Sequence, residues 1–472
     1  MNDSMPGSRL IVVSNAEPYS HKYTDEGVEQ EKIAGGLTTG LDPIMQQSNN
    51  LWIAWGRGEA DFEVVDEDNK IVVPDEETGY TLKRLELSSE EQDGFYYGFA
   101  NETLWPICHS FTHKAKFSSE HWEMYKQVNK RYAQAVLEEI QPGDRIWVQD
   151  YQLALVPQMI RNEKPDTSIA LFWHIPWPPW ETFGTIPWRR EILEGMLGAD
   201  FIGFHTSWLV HNFFDSVDKL GGAVNRHENK ARMKDLRATV NAIPLGIDCE
   251  FFNPTTDQLE KSAELEQNFP AERRVLSVDR LDYTKGIDKR IEAIRTFFQT
   301  YPEYRGKVSF IQRISPSRSK VQEYQQMRRD IEQWVGQVNG EFQREEWVPI
   351  RYFYQHLPQE ELIPYYLAAD IALITPLIDG MNLVAKEYVA SRESGMLILS
   401  EFAGAAETLT EAIQVNPHDP EGVANALDLA LKTPEDQQRE QFQKMKEKLR
   451  RMDIQWWRDR FLDEWELSLH SR

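Results

Sequence analysis

The chain has 472 residues and a formal charge of −24, from 52 basic and 76 acidic side chains. That balance argues against nucleic acid and anionic membranes as general partners, and a phosphorylated ligand must be drawn in by a local basic pocket. An apolar content of 41% with 15 Trp calls for a soluble, folded protein of two or three domains; the only cysteines, Cys108 and Cys249, support neither a disulfide framework nor a Cys-ligated metal, and a reducing cytoplasm is the default.

Residues 1–8 are polar and pass straight into an apolar run, so neither a signal peptide nor a spanning segment is expected. Arg9–Ser14 reads as a buried strand, followed by a loop over Asn15–Tyr19. Ala34-Gly-Gly-Leu37 opens a helical segment to about Gln47. Glycines such as Gly36 before a helix let a ligand approach the backbone, though a plain turn would use them too. Leu51–Trp55 is a second strand. Residues 57–92 are rich in acids and turns; Asp66-Glu67-Asp68 has the Asp-x-Asp form of a metal-holding pair but sits in a charge run, as a surface loop would. Phe95–Pro106 is dense in aromatics, as core is, and its Tyr97 and Trp105 could equally line a carbohydrate pocket.

Strands then alternate with helices. Arg145–Gln149 ends at Asp150, Ser168–Trp173 ends at His174, and Phe201–Phe204 ends at His205. Polar residues at the C-terminal ends of parallel strands are where open α/β sheets bind ligands. A new unit starts near Val240–Ile247, with strands at Arg274–Val278, Val308–Ile311, Arg351–Tyr354, Ile371–Thr375 and Met396–Leu399. Two βα series predict two doubly wound domains facing across a cleft, over residues 1–245 and 246–454. The last helix, 455–472, has an apolar face that would pack back toward the first domain.

Three loops carry chemistry. Asp279-Arg-Leu-Asp-Tyr-Thr-Lys-Gly286 follows a strand and holds two cations five residues apart, Arg280 as a fork and Lys285 as a point charge, a pair suited to a diphosphate. Breaking a sugar–diphosphate bond develops charge on the leaving phosphate, which two cations and a helix N-terminus can stabilise without a metal. Asp379-Gly-Met-Asn382 joins a strand to the helix that begins with Leu383 and Val384, another anion cradle, with Glu387 one turn on. Ser315–Lys320, with Arg318, offers cations for a separate phosphate.

With these residues in view, the sequence resembles the trehalose-6-phosphate synthases, retaining glucosyltransferases of GT-B architecture with two Rossmann-like domains, and their relatives the glucosylglycerol-phosphate synthases. The motifs that carry the resemblance run in order: Val12-Val-Ser-Asn15, Ala34–Leu37, Leu104-Trp-Pro106, Asp150-Tyr151, His174-Ile-Pro176, Arg280–Gly286, Asp379–Glu387 and Ser400–Ala405. It implies a first domain that binds the acceptor and a second that binds the nucleotide sugar. Arg280 and Lys285 would bind the donor diphosphate, helped by backbone N–H groups near Gly36 and at Asn382, Leu383 and Val384. Glu387 would hold the ribose, Asp379 and His174 the donor glucose. Asp150 would grip acceptor hydroxyls, and Tyr97, Trp105 and Arg318 would enclose the acceptor and its phosphate. His174, Arg280, Lys285 and Asp379 are thus the expected catalytic set, with no metal and no cofactor, UDP-glucose being a substrate.

The chain departs from the family pattern at Ala16, where relatives carry an acceptor-contacting Arg, at Ile378, and at Gln149 and Gln152, which flank Asp150-Tyr151. Lys22 or Lys32 could stand in for the missing cation. The expected reaction moves glucose from UDP-glucose to glucose 6-phosphate, giving α,α-trehalose 6-phosphate and UDP for trehalose and osmolyte synthesis. Glycerol 3-phosphate as acceptor, or a non-catalytic sugar-phosphate-binding regulator, are the alternatives. The donor nucleotide and homo-oligomerisation stay open.

Overall fold

A computed structural model describes residues 9–33, 36–46, 49–75, 77–269, 271–317, 322–344 and 346–470. The chain divides into two compact units, Met1–Pro244 with Trp457–Arg472, and Leu245–Trp456. Among the described residues no helix is long and apolar enough to cross a membrane.

The strands of the first unit are β1 (Leu10–Ala16), β2 (Tyr19–Thr24), β3 (Gly27–Lys32), β4 (Leu51–Trp55), β5 (Lys70–Val73), β6 (Tyr80–Leu85), β7 (Arg145–Gln149), β8 (Ser168–Phe172), β9 (Phe201–Phe204), β10 (Ala223–Asn225), β11 (Lys230–Met233) and β12 (Leu236–Ala242). Ten of them form one sheet in the order β10-β11-β12-β9-β8-β7-β1-β4-β6-β5. From β12 to β6 every pairing is parallel, while β5 and the β10–β11 pair add antiparallel edges. The central strands are continuous apolar runs, Ile11-Val-Val13 and Leu51–Trp55 among them, because a parallel sheet is covered on both faces. β2 and β3 form a separate hairpin, so the loop expected over Asn15–Tyr19 shrinks to Glu17 and Pro18.

The acid-rich stretch 57–92 hides two strands, β5 and β6. β6 does not read as interior because it carries Lys83 and Arg84, yet both are buried with their charges paired. Lys83 meets Glu138 and Glu139, and Arg84 meets Glu17 and Asp61. Val240, expected to open the second series, lies in β12 and closes the first sheet against β9. In the aromatic segment Phe95 and Phe99 are core, within a π-helical stretch Gln92–Leu104, and Phe99 packs on Tyr125 at 4.6 Å between centroids. In the helix Ile454–His470, Trp457, Phe461 and Trp465 recur every four residues and are fully buried. Phe461 stacks on Trp147 of β7 at 4.2 Å and meets Phe201 of β9 at 5.0 Å.

The second unit holds a six-stranded, all-parallel sheet in the order β15-β14-β13-β16-β17-β18. Its strands are β13 (Arg273–Arg280), β14 (Val308–Ser315), β15 (Ile350–Tyr354), β16 (Ile371–Ile374), β17 (Met396–Ser400) and β18 (Ile413–Val415). Strand order reverses beside the first strand of each unit, between β1 and β7 and between β13 and β16. At such a switch point the connections leave in opposite directions and open a crevice at the carboxyl ends of the strands.

Candidate active site

In the second unit the switch point gathers the loops after β13 and β16. Arg280 ends β13 exposed, in register with Ser315 of β14. Beyond it the chain turns through Asp282, whose carboxylate accepts the Thr284 N–H at 3.0 Å and the Tyr324 hydroxyl at 3.2 Å. Gly286 then starts the helix Ile287–Thr300 at φ +62°, where an added Cβ would lie 2.8 Å from the Thr375 carbonyl. Both the left-handed backbone and that close approach require glycine. The Leu377 N–H donates to the Thr284 carbonyl at 2.8 Å, joining the two loops.

This junction places the Lys285 ammonium 2.6 Å from Asp379 Oδ2, a pair with side chains 13% and 15% exposed. Asp379 also accepts from Asn382 Nδ2 at 3.1 Å and the Met381 N–H at 3.3 Å. Asn382, at φ +71°, caps the helix Leu383–Ser391 by accepting the Ala385 N–H. The N–H groups at the start of that helix, Leu383 and Val384 included, have no acceptor within the helix, and with its dipole they favour an anion. Arg280, Lys285, Asp379, Asn382, Leu383 and Val384 thus lie on two loops joined to each other.

Glu387 is buried, and its oxygens accept from Gln359 Nε2 at 2.8 Å and the Tyr366 hydroxyl at 2.7 Å. Burial raises its pKa above the ordinary carboxylate value. Each oxygen keeps a second lone pair, so the two donors orient the group without saturating it.

Two buried residues that sequence reasoning missed brace this region. Arg290 binds Asp279, donates to Thr375 Oγ1 at 3.0 Å and reaches the Lys285 carbonyl at 3.2 Å. Lys386, buried beside Glu387, donates to the Leu245 carbonyl at 2.6 Å, and burial pulls its pKa down to about 7. A lysine and an arginine on helices read as surface charge; only their burial distinguishes them.

In the first unit the switch point between β1 and β7 lies at Ala16 and Asp150. Asp150 adopts φ +68°, and its Oδ1 accepts the His174 N–H at 3.0 Å. Burial pushes this carboxyl up to about 7 even though backbone N–H groups of His174, Tyr151 and Ile175 favour its ionised form. His174 Nε2 lies 2.9 Å from Gln149 Oε1, and burial drops the imidazole to about 3, so the ring is neutral at physiological pH. The hydrogen bond to the amide oxygen assigns the proton to Nε2 and leaves Nδ1 as an acceptor.

Tyr97 is 36% exposed and meets Tyr96 edge-on at 5.2 Å. Trp105 is buried against His109 and Tyr151. Gly36 begins the helix Gly36–Met45, whereas Ala34, Gly35 and Arg318 lie outside the described residues. Lys22 is paired with Glu31 at 3.0 Å and Lys32 with Asp42 at 2.7 Å, so both cations considered as substitutes at Ala16 are already engaged. Asp66 closes a turn by accepting the N–H groups of Asp68 and Lys70. Among the described residues no three His, Cys, Asp or Glu side chains are grouped to hold a metal ion.

Two doubly wound units with polar loops at their switch points define an α/β glycosyltransferase of the GT-B type. The model of glycosyltransferase family 20 matches residues 8–466, and the chain belongs to that family. It is 41% identical over 471 residues to a bifunctional trehalose-6-phosphate synthase/phosphatase of Thermoproteus tenax, a match covering 96% of this chain and 63% of that longer protein. It is 38% identical to a trehalose-6-phosphate synthase of Mycobacterium avium, over 98% of this chain and 96% of the relative. A crystal structure of a UDP-forming α,α-trehalose-phosphate synthase from Burkholderia xenovorans in complex with glucose 6-phosphate superposes with a TM-score of 0.85 at 30% identity, over 97% of this chain and all of the other.

Proposed function

We propose that the protein transfers glucose from UDP-glucose to glucose 6-phosphate with retention, giving α,α-trehalose 6-phosphate and UDP. The observation that carries this reading is the joining of the Arg280–Lys285 loop to the Asp379–Asn382 helix start, with Lys285 and Asp379 2.6 Å apart. Such a cradle of two cations and a helix N-terminus suits a diphosphate. The similar proteins named for this reaction, one of them solved with glucose 6-phosphate, support the same choice.

In the reaction the bond between glucose C1 and the diphosphate oxygen breaks, and a bond forms from C1 to the acceptor's anomeric oxygen on the same face. The acceptor's proton passes to the departing diphosphate. Arg280, Lys285 and the N–H groups of Leu383 and Val384 take up the charge that grows on that leaving group. The diphosphate takes the place of Asp379 beside Lys285, and Asp379 turns to a glucose hydroxyl. Glu387, already oriented by Tyr366 and Gln359, receives the ribose hydroxyls. The neutral His174 hydrogen-bonds the donor glucose without adding positive charge beside an electron-poor C1. Asp150 accepts from acceptor hydroxyls. This division gives charge neutralisation to the protein's own cations and assigns no cofactor. Two unpaired cysteines, Cys108 and Cys249, fit a cytoplasmic setting.

The test is UDP release from UDP-glucose with glucose 6-phosphate, glycerol 3-phosphate or glucose as acceptor, with product NMR. Release that depends on glucose 6-phosphate and yields an α,α-linked product supports the proposal. Release with glycerol 3-phosphate alone, or none with any acceptor, overturns it.

A further inference from the structure

We infer that Arg57 is the residue that selects a phosphorylated acceptor, its guanidinium binding the acceptor's phosphate at the carboxyl end of β4. This rests on the acceptor reading above and adds to it the group that recognises the anion.

The position follows from register. Ala16, the last residue of β1, pairs with Trp55, the last residue of β4, at the switch-point end of the parallel sheet. Ala16 carries no charge, and two residues past Trp55 comes Arg57. Its guanidinium lies 4.4 Å from the centroid of the Trp55 ring and 4.9 Å from that of Tyr96. Nη2 approaches the Asn15 carbonyl at 3.5 Å. Tyr96 in turn meets the exposed Tyr97. The cation therefore sits with the end of β1 on one side and the Tyr96–Tyr97 aromatic pair on the other. Two aromatic rings flank the guanidinium without accepting from its N–H donors, and the donors not directed at Asn15 remain available to phosphate oxygens.

The loop is built to hold that geometry. The Arg57 N–H donates to Glu17 Oε1 at 2.9 Å, and the Gly58 N–H to Asp61 Oδ2 at 2.5 Å. A Cβ on Gly58 would lie 2.5 Å from both Asp61 Oδ1 and the His21 carbonyl, so only glycine lets the loop close down on these groups. Glu17 and Asp61 do not cancel the Arg57 charge, because both are committed to the fully buried Arg84, at 2.8 and 3.1 Å. Burial and hydrogen bonding to Asp61 raise Glu17 to about 8, so one carboxyl of the pair keeps its proton at neutral pH and the buried cluster is close to neutral. Among the described residues no ion pair uses the Arg57 guanidinium. On a chain of net charge −24, an exposed, unpaired and pre-oriented arginine is a local anion attractor.

The experiment compares the wild type with Arg57→Ala, Arg57→Lys and the double variant Arg57→Ala/Ala16→Arg. Kinetics with glucose 6-phosphate and with glucose are read beside calorimetry of glucose 6-phosphate and of UDP, and thermal melts establish that each variant is folded. Arg57→Ala is expected to weaken glucose 6-phosphate about 10- to 150-fold, the range of one charge-assisted hydrogen-bonded contact, and to leave UDP affinity and any turnover with glucose unchanged. Arg57→Lys should keep part of the affinity. Ala16→Arg in the Arg57→Ala background should restore most of it, since residue 16 faces the same strand end. A folded Arg57→Ala with unchanged glucose 6-phosphate affinity, or with equal losses toward glucose and its phosphate, overturns the assignment. Failure of the reaction itself would show in the wild type before any substitution, and calorimetry still reads the Arg57 contact in that case.

Discussion

Asp150→Asn tests the cost of the acceptor site. The Asp150 carboxyl is raised from an ordinary 3.8 to about 7 by burial. Unfolded, the same group ionises near its ordinary value, so between about pH 4 and 7 the folded chain holds a proton that the unfolded chain has lost. Stability then falls as pH rises through that window, and the loss is complete above pH 7. About three pKa units correspond to about 4 kcal/mol, an upper figure because the group keeps some contact with solvent. Asparagine tolerates the positive φ of residue 150 and its side-chain oxygen can still accept the His174 N–H, so the variant removes the charge and little else. Thermal melts of both proteins from pH 5 to 8.5 should show the wild type losing stability with pH relative to Asp150→Asn. At pH 8 the variant should melt several degrees higher. Activity should move the other way: wild-type kcat/KM for the acceptor should rise with a midpoint near pH 7 and level off above it, and the variant should be slow at every pH. A sugar phosphate also titrates near pH 6, and the variant, which retains that contribution, separates the two effects. Parallel melting curves for the two proteins across the range would refute the buried-carboxylate account.

Lys285→Ala should lower kcat about 10²- to 10³-fold, the usual loss when one donor to a developing charge is removed, with UDP binding weakened and the fold intact by circular dichroism. Arg280→Ala should do the same, and near-wild-type turnover in either would remove the diphosphate assignment. Lys386→Met tests the buried ammonium: its pKa is lowered to about 7, so below pH 7 the folded state carries a costly buried charge and stability should rise between about pH 7 and 10. Denaturant titrations of Lys386→Met should lack that rise; an unchanged slope would place the ammonium in contact with water. Turnover should survive dialysis against EDTA, because the protein's own cations neutralise the leaving group. A strict metal requirement would contradict this and return attention to Asp66 and Asp68.

Much of the second unit was legible because its signals are local. β13 and β16 are short apolar runs followed at once by Arg280–Gly286 and Asp379–Asn382, and helix-start chemistry depends only on neighbours in sequence. β5 and β6 were not legible, since Lys83 and Arg84 in β6 look solvent-facing until their carboxylate partners arrive from Glu138, Glu139, Glu17 and Asp61. Arg57 escaped for the same kind of reason. Between two glycines in an acid-rich stretch it reads as a surface turn, and its rings, Trp55 and Tyr96, belong to different elements.

The sequence by itself determined the alternation of buried strands and helices and the polar residues at the strand ends, because period, turn chemistry and helix capping act over a few residues. Tertiary structure alone decided which strand ends are neighbours. The reversals of strand order beside β1 and β13 bring Ala16 to Trp55 and join the Lys285 loop to that of Asp379 across 94 residues of chain. It also decided which charges are buried, since a charged side chain enters a core only where a partner distant in sequence compensates its lost hydration.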